Sequence, residues 1–240
     1  MSWSSKVLEN LWNIFPVETT FDLEVPAPSV TMTEGIGGWL TSHEETALYL
    51  LGLIADGPIL EVGPWLGKST VCIASGIAAS GERKKFTTCE LNPTEDSWIL
   101  DGDGVRQFHT DGTGQSNGGT PDAEWIKNIQ PIVGHPDGVI GLLQANLVRA
   151  GVGQIVDVVE GNFLHTPLDG PYGMIFTDAM HTPEEVHLNS ARLRELLAPN
   201  AILACHDTND ENRRALGEYI QFERETVVDG LFVGITAADN

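Results

Sequence analysis

The sequence predicts an α/β protein: a doubly wound, mostly parallel sheet with helices on both faces and an antiparallel C-terminal strand. From residue 58 onward, short apolar runs alternate with helical segments, the pattern of parallel strands joined by crossover helices. Most of these runs end in a polar residue or a glycine, as strand ends do at the open edge of such a sheet. The final apolar stretch, residues 225–237 (ETVVDGLFVGITA), is interrupted by Asp229-Gly230, a hairpin signal that reverses the last strand.

The segment up to about residue 55 reads as helical and irregular, with residues 25–28 (VPAP) as a rigid extended joint. A helix follows over SHEETALYLLGLIA: Ser42 caps it, Glu45 stands at capping-box spacing, and Ala47, Leu50, Leu51 and Ile54 form its apolar face. PILEVG is a buried strand, KSTVCIASGIAAS a helix of small residues suited to close packing, and KFTTCE a second strand. A loop-rich insert spans about residues 92–136. Its glycine-rich stretch DGTGQSNGGTPD is either a disordered insertion or a lid over the open sheet edge. Trp98, Phe108 and Trp125 beside it serve either a substrate or a local subcore. Next come the helix DGVIGLLQANLVRAG and the strands QIVDVVEG, GMIFTDA and AILACHD. Between the last two strands lies a helix opened by Pro183, an N-terminal residue whose fixed φ suits a first turn. The whole chain, 1–240, is expected to form one domain with no internal repeat.

Charge narrows the function. Thirty-four Asp and Glu against 13 Lys and Arg give a net charge of −21. The largest basic cluster, Arg83-Lys84-Lys85, is too small for phosphate neutralisation, so neither nucleic acid nor an anionic membrane is expected as a partner. Cys72, Cys89 and Cys205 are widely spaced within apolar runs and read as reduced, buried thiols. The N-terminal residues carry no signal-peptide pattern and no transmembrane run occurs, so a cytoplasmic protein is expected.

The strongest chemical signal is ILEVGPWLGKST, residues 59–70, where a buried strand ends in Glu61-Val62-Gly63 and Gly67 precedes a helix. Glycines here permit a tight turn and close approach of a ligand. The spacing E-x-G-x-x-x-G is not the dinucleotide fingerprint G-x-G-x-x-G, and Gly63 stands one residue too close to Gly67-Lys68 for a P-loop. The next strand ends in Glu90, a carboxylate placed to accept both hydroxyls of a ribose.

This constellation resembles the class I S-adenosylmethionine-dependent methyltransferases, which have a Rossmann-like fold. With GWLTSHEETALYLLGLIADG upstream, it is similar to the small-molecule O-methyltransferases of the catechol and macrolide-sugar type. The resemblance covers roughly residues 37–90 and 138–234. It implies that Glu61, Gly63, Gly67 and Ser69 meet the methionine part of S-adenosyl-L-methionine, that Glu90 holds the ribose, and that Asn162 meets the adenine, where an acidic residue is also common. Asp178 lies at the same cofactor edge. A small-molecule hydroxyl substrate and a homodimer through the N-terminal segment are further expectations of the resemblance.

A second cluster ends the fourth and fifth strands of the alternation: Asp178 and His181 in TDAMH, then His206-Asp207 in ACHDTND. Adjacent strands run about 4.8 Å apart, so Asp178, His206 and Asp207 can converge on one cation. Carboxylates suit Mg2+, whereas His206 favours Mn2+, iron or zinc, and Thr208 offers an alternative oxygen. These positions match those of the metal-dependent members of the resembled family, with His206 as the departure. His181, with an ordinary pKa of about 6.5, is the general-base candidate. His43 sits at the substrate mouth or simply on the surface. The competing functions are a non-catalytic S-adenosylmethionine-binding protein and a nucleotide-dependent oxidoreductase, the latter opposed by the missing G-x-G-x-x-G.

Overall fold

A computed structural model describes residues 32–92, 98–100, 106–108, 128, 131–132 and 135–238. The extended joint at 25–28, Trp125 and the glycine-rich stretch 111–122 lie outside the described residues.

The elements in chain order are α1 (Ser42–Ile54), β1 (Ile59–Val62), α2 (Lys68–Ser80), β2 (Phe86–Glu90), β3 (Trp98–Leu100) and β4 (Arg106–Phe108). They continue with α3 (Gly138–Arg149), β5 (Val156–Glu160), β6 (Tyr172–Thr177), α4 (Pro183–Leu196) and β7 (Leu197–Cys205). The last are α5 (Asp210–Gly217), β8 (Phe222–Val228) and β9 (Leu231–Thr236). Seven strands form one sheet in the order β5-β2-β1-β6-β7-β9-β8. All neighbours pair in parallel except at β9, which runs antiparallel to both β7 and β8. The expected doubly wound, mostly parallel sheet with a reversed C-terminal strand is therefore present. The hairpin turns at Asp229-Gly230, between the ends of β8 and β9.

The chain starts at β1 in the middle, moves outward to β2 and β5, then returns to β6 on the other side of β1. That reversal opens a crevice beyond the carboxyl ends of β1 and β6, where ligands of such sheets bind. Period-2 alternation sends Ile59 into a core shared with α1, α2 and α3, and Leu60 and Val62 into a second core shared with α4 and α5. Glu61 therefore faces the α2 side, where a hydrophobic residue would otherwise sit.

The α1 and α2 helices cross at glycines. A Cβ on Gly52 would lie 2.2 Å from Ile73 O, and one on Gly76 would lie 2.0 Å from Tyr49 O. Only backbone against backbone fits there.

Three details differ from the sequence reading. The cap of α1 is Thr41, not Ser42: Thr41 Oγ1 accepts from Glu44 N at 3.2 Å, and Glu44 Oε2 accepts from Thr41 N at 2.7 Å. Within the insert, β3 and β4 pair antiparallel, with Trp98 opposite Phe108. Helix α5 (DENRRALG) has no counterpart in the sequence reading; Asn209 caps it through bonds from Glu211 N and Asn212 N, both at 2.9 Å. By contrast Pro183 opens α4 as expected, behind a Thr182–Glu185 capping box. Cys72, Cys89 and Cys205 are buried free thiols. No helix among the described residues is long and apolar enough to cross a membrane.

Candidate functional site

The first half of the site is the turn between β1 and α2. Gly63 and Gly67 hold φ values of 78° and 91°, in the left-handed region that glycine enters without strain. A Cβ on Gly67 would meet Leu143 Cδ1 at 2.7 Å. Trp65 also takes a positive φ, 51°, and its N–H donates to Glu90 Oε2 at 3.0 Å. Glu90 Oε1 accepts from Leu91 N at 2.8 Å, so the carboxylate ending β2 is braced by the glycine turn itself. Burial pushes the Glu90 carboxyl up to about 7, against the pull of these amides. Glu61 is fully buried and also pushed up to about 7 by burial; Ser69 Oγ donates to its Oε1 at 2.5 Å and Thr70 Oγ1 to its Oε2 at 2.7 Å. Glu61 thus anchors the first turn of α2, and the hydrogen of the Ser69 hydroxyl is spent on that anchor.

Asn162 follows β5 on the same sheet edge. Its Oδ1 accepts from Leu164 N at 2.9 Å, a local turn. Its Nδ2 has no partner among the described residues.

The second half lies beyond β6 and β7. Thr177 of β6 registers with Cys205 of β7, which brings Asp178 alongside His206. His206 Nδ1 lies 3.0 Å from Asp178 Oδ1, and His181 Nε2 lies 3.4 Å from the same oxygen. Burial alone would raise the Asp178 carboxyl, but bonds from His181 and His206 hold it well below the usual carboxylate range. Asp178 and Glu185 push His181 up to about 10 against burial. Burial lowers the His206 ring, yet Asp178 and Glu44 override it and push it up to about 10.

His206 is only 3% exposed, and its second nitrogen faces Glu44 Oε2 at 3.5 Å. Glu44 is itself buried; it caps α1 and its Oε1 accepts from Gly230 N at 2.7 Å. The sequence reading missed Glu44, because a first-turn glutamate looks like a cap and nothing in the local pattern marks the strand end 162 residues on.

The expected cation trio was Asp178, His206 and Asp207. The structure brings these three together, with His206 Nδ1 3.0 Å from Asp178 Oδ1 and 3.7 Å from Asp207 Oδ1, and it also gathers Asp178, His181 and Asp207, one donor atom from each lying within 4.8 Å of the others. The His206 ring is buried among three carboxylates, Asp178 and Asp207 facing Nδ1 and Glu44 facing Nε2. Thr208 Oγ1 donates to Cys205 O at 3.0 Å. His43 Nδ1 pairs with Asp229 Oδ2 at 3.0 Å on the exposed hairpin turn.

Residues 60–208 match a family model described as "Methyltransferase domain". Among solved structures, the fold is similar to cofactor-bound Rv0187 from MTB at 21% identity, covering 82% of this chain and 81% of that one, with a TM-score of 0.51. It is similar to an O-methyltransferase from Bacillus cereus in complex with SAH at 15% identity, covering 90% and 94%, with a TM-score of 0.53. A SAM-dependent O-methyltransferase from Thermotoga maritima is similar at 10% identity, covering 86% and 69%, with a TM-score of 0.53. No curated protein matches the chain.

Proposed function

Because this chain belongs to the methyltransferase-domain family, we propose that it moves the methyl group of S-adenosyl-L-methionine onto a hydroxyl oxygen of a small molecule, with His181 as the base. One observation carries the reading. A glycine turn braced by Glu90 and a cluster of Asp178, His181 and Asp207 share the crevice where the sheet reverses.

In this reading the turn at Gly63–Gly67 admits the methionine part of the cofactor, and Glu90 accepts the ribose hydroxyls. The acceptor oxygen attacks the methyl carbon in line. The carbon–sulfur bond breaks, its electron pair stays on sulfur, and S-adenosylhomocysteine leaves. The hydroxyl proton goes to His181 Nε2. The reactive sulfonium belongs to the cofactor; the protein contributes alignment and proton removal.

Two carboxylates and an imidazole nitrogen within 4.8 Å suit a divalent cation such as Mn2+ or Fe2+ better than Mg2+. Asp178 and Asp207 would hold it, and it would lower the pKa of an acceptor hydroxyl. The electrostatics support this arrangement. Beside Asp178 and Glu185 with no cation bound, His181 holds its proton at neutral pH. Meeting the charge of Asp178 and Asp207 frees Nε2. In any one turnover that nitrogen serves as ligand or as proton acceptor, not both.

The test is a screen of phenolic and sugar hydroxyl acceptors with S-adenosylmethionine, run with EDTA and with Mn2+ or Mg2+ added back. Methyl transfer that falls under EDTA and returns with Mn2+ is the expected result. Transfer indifferent to chelation removes the cation, and transfer only to nitrogen acceptors removes the O-methyl assignment.

The Glu90 carboxyl supplies a pH signature. Its folded value of about 7 lies above the unfolded 4.5, so its ionisation disfavours the folded state progressively from about pH 4.5 to 7. Ribose hydroxyls donate to the ionised form. S-adenosylhomocysteine affinity should therefore rise about tenfold between pH 6 and pH 8. Calorimetry on Glu90→Gln should show weaker binding and the loss of one proton from that slope; an unchanged slope would show that Glu90 does not hold the ribose.

A further inference from the structure

The turn that carries Asp178 and His181 leaves two consecutive carbonyls, Ala179 O and Met180 O, outside any strand or helix. Each is taken by a carboxamide from a different helix. Asn189 Nδ2, from α4, donates to Ala179 O at 3.2 Å and to Glu185 O at 2.8 Å. Asn212 Nδ2, from α5, donates to Met180 O at 3.3 Å. Glu185 Oε2 accepts from His181 N at 2.8 Å and Thr182 N at 3.2 Å. The peptide units on both sides of Met180 are therefore gripped from α4 and α5 together.

Asn212 is fully buried, and its Oδ1 meets no donor among the described residues. An unmatched buried acceptor disfavours the folded state relative to an apolar residue of the same shape. What the side chain offers is its N–H toward Met180 O, one residue before His181.

Resting on the proposed methyl transfer, we infer that Asn212 and Asn189 are positioning residues: they lock the Asp178-to-His181 turn so that the imidazole stays in line for proton removal. They touch neither cofactor nor acceptor. The cofactor half of the site hangs on β1, α2 and β2, so loss of the clamp leaves it intact and slows the chemical step alone. Alignment within a fraction of an ångström is what such a step depends on.

Asn212→Leu tests this, because leucine keeps the branched heavy-atom skeleton, with somewhat larger volume, while removing both the donor and the unmatched oxygen. The expected result is S-adenosylhomocysteine affinity and cofactor KM within about twofold of wild type, with kcat and the single-turnover rate down about tenfold or more. Amide hydrogen exchange on the S-adenosylhomocysteine complex, which needs no acceptor, should show lost protection at His181 beyond any global change. Wild-type kcat with wild-type protection overturns the inference, as does a parallel loss of cofactor affinity and rate. If Asn212→Leu does not fold, Asn189→Asp supplies the same readouts. Should the wild type bind S-adenosylhomocysteine yet methylate no hydroxyl, the proposed function fails, and the exchange data still decide whether the turn is clamped.

Discussion

Replacing His181 with alanine is expected to slow methyl transfer by about 100- to 10,000-fold, the range for loss of a positioned general base. Cofactor affinity should stay within about twofold, since no contact of His181 reaches the glycine turn or Glu90. The fold should survive as well. The His181 side chain is 43% exposed, and exposed ion pairs contribute little. Asp178 also keeps its shorter contact to His206, at 3.0 Å, so its charge is not stranded. The measurement is a rate–pH profile of wild type and variant under saturating cofactor, with S-adenosylhomocysteine titrated alongside. A variant that keeps full rate sinks the base role. One that loses rate and is restored by excess Mn2+ would move His181 from base to ligand.

The second large effect is on stability. Gly76→Ala should destabilise the protein by about 3 kcal/mol or more, at the upper end for overpacking, because its methyl group would meet a backbone oxygen rather than a side chain that can turn away. For a chain of this size that is a fall in Tm of about 6–12 °C. The control is Gly217→Ala on α5, where an added Cβ meets nothing within 4 Å. That change should leave Tm unchanged or raise it slightly. Thermal melts followed by circular dichroism separate the two; equal shifts would mean that the α1–α2 crossing tolerates more space than the geometry allows.

The centre of the sheet was legible because β1, β6 and the second half of β7 are short apolar runs with an abrupt end, and a parallel sheet buries such runs on both faces. The cap of α1 was not, for a specific reason. Thr41–Glu44 and Ser42–Glu45 both have capping-box spacing, and the sequence holds the two registers equal. Tertiary partners break the tie: Glu44 also receives Gly230 N, while Glu45 is drawn to Lys68 at 3.1 Å. Helix α5 escaped because its eight residues carry too few apolar positions to show a period; Asn209 followed by Asp210 and Glu211 was the only signal. At the site, the strand-end rule located Asp178, His181, His206 and Asp207 on one edge. It could not say which way the His206 ring turns, since that depends on Glu44, a residue from the far end of the chain. Asn189 and Asn212 were missed likewise: a carboxamide on a helix declares nothing until the carbonyl it meets is placed.

The position of β9 has a consequence for how the molecule is made. This strand, Leu231–Thr236, sits between β7 and β8, and the turn before it supplies the amide that holds Glu44, 186 residues earlier in the chain. A ribosome delivers α1 and β1 long before that amide exists. Until the last strand emerges, β7 lacks a neighbour on one side, and the buried carboxylate of Glu44 waits beside His206 without its third donor. Pairings this distant in sequence form late and slowly. The chain therefore passes through a stage in which the β5-β2-β1 half of its sheet can assemble while the β7 side is still open, a window in which an exposed β7 edge is the point most in need of protection.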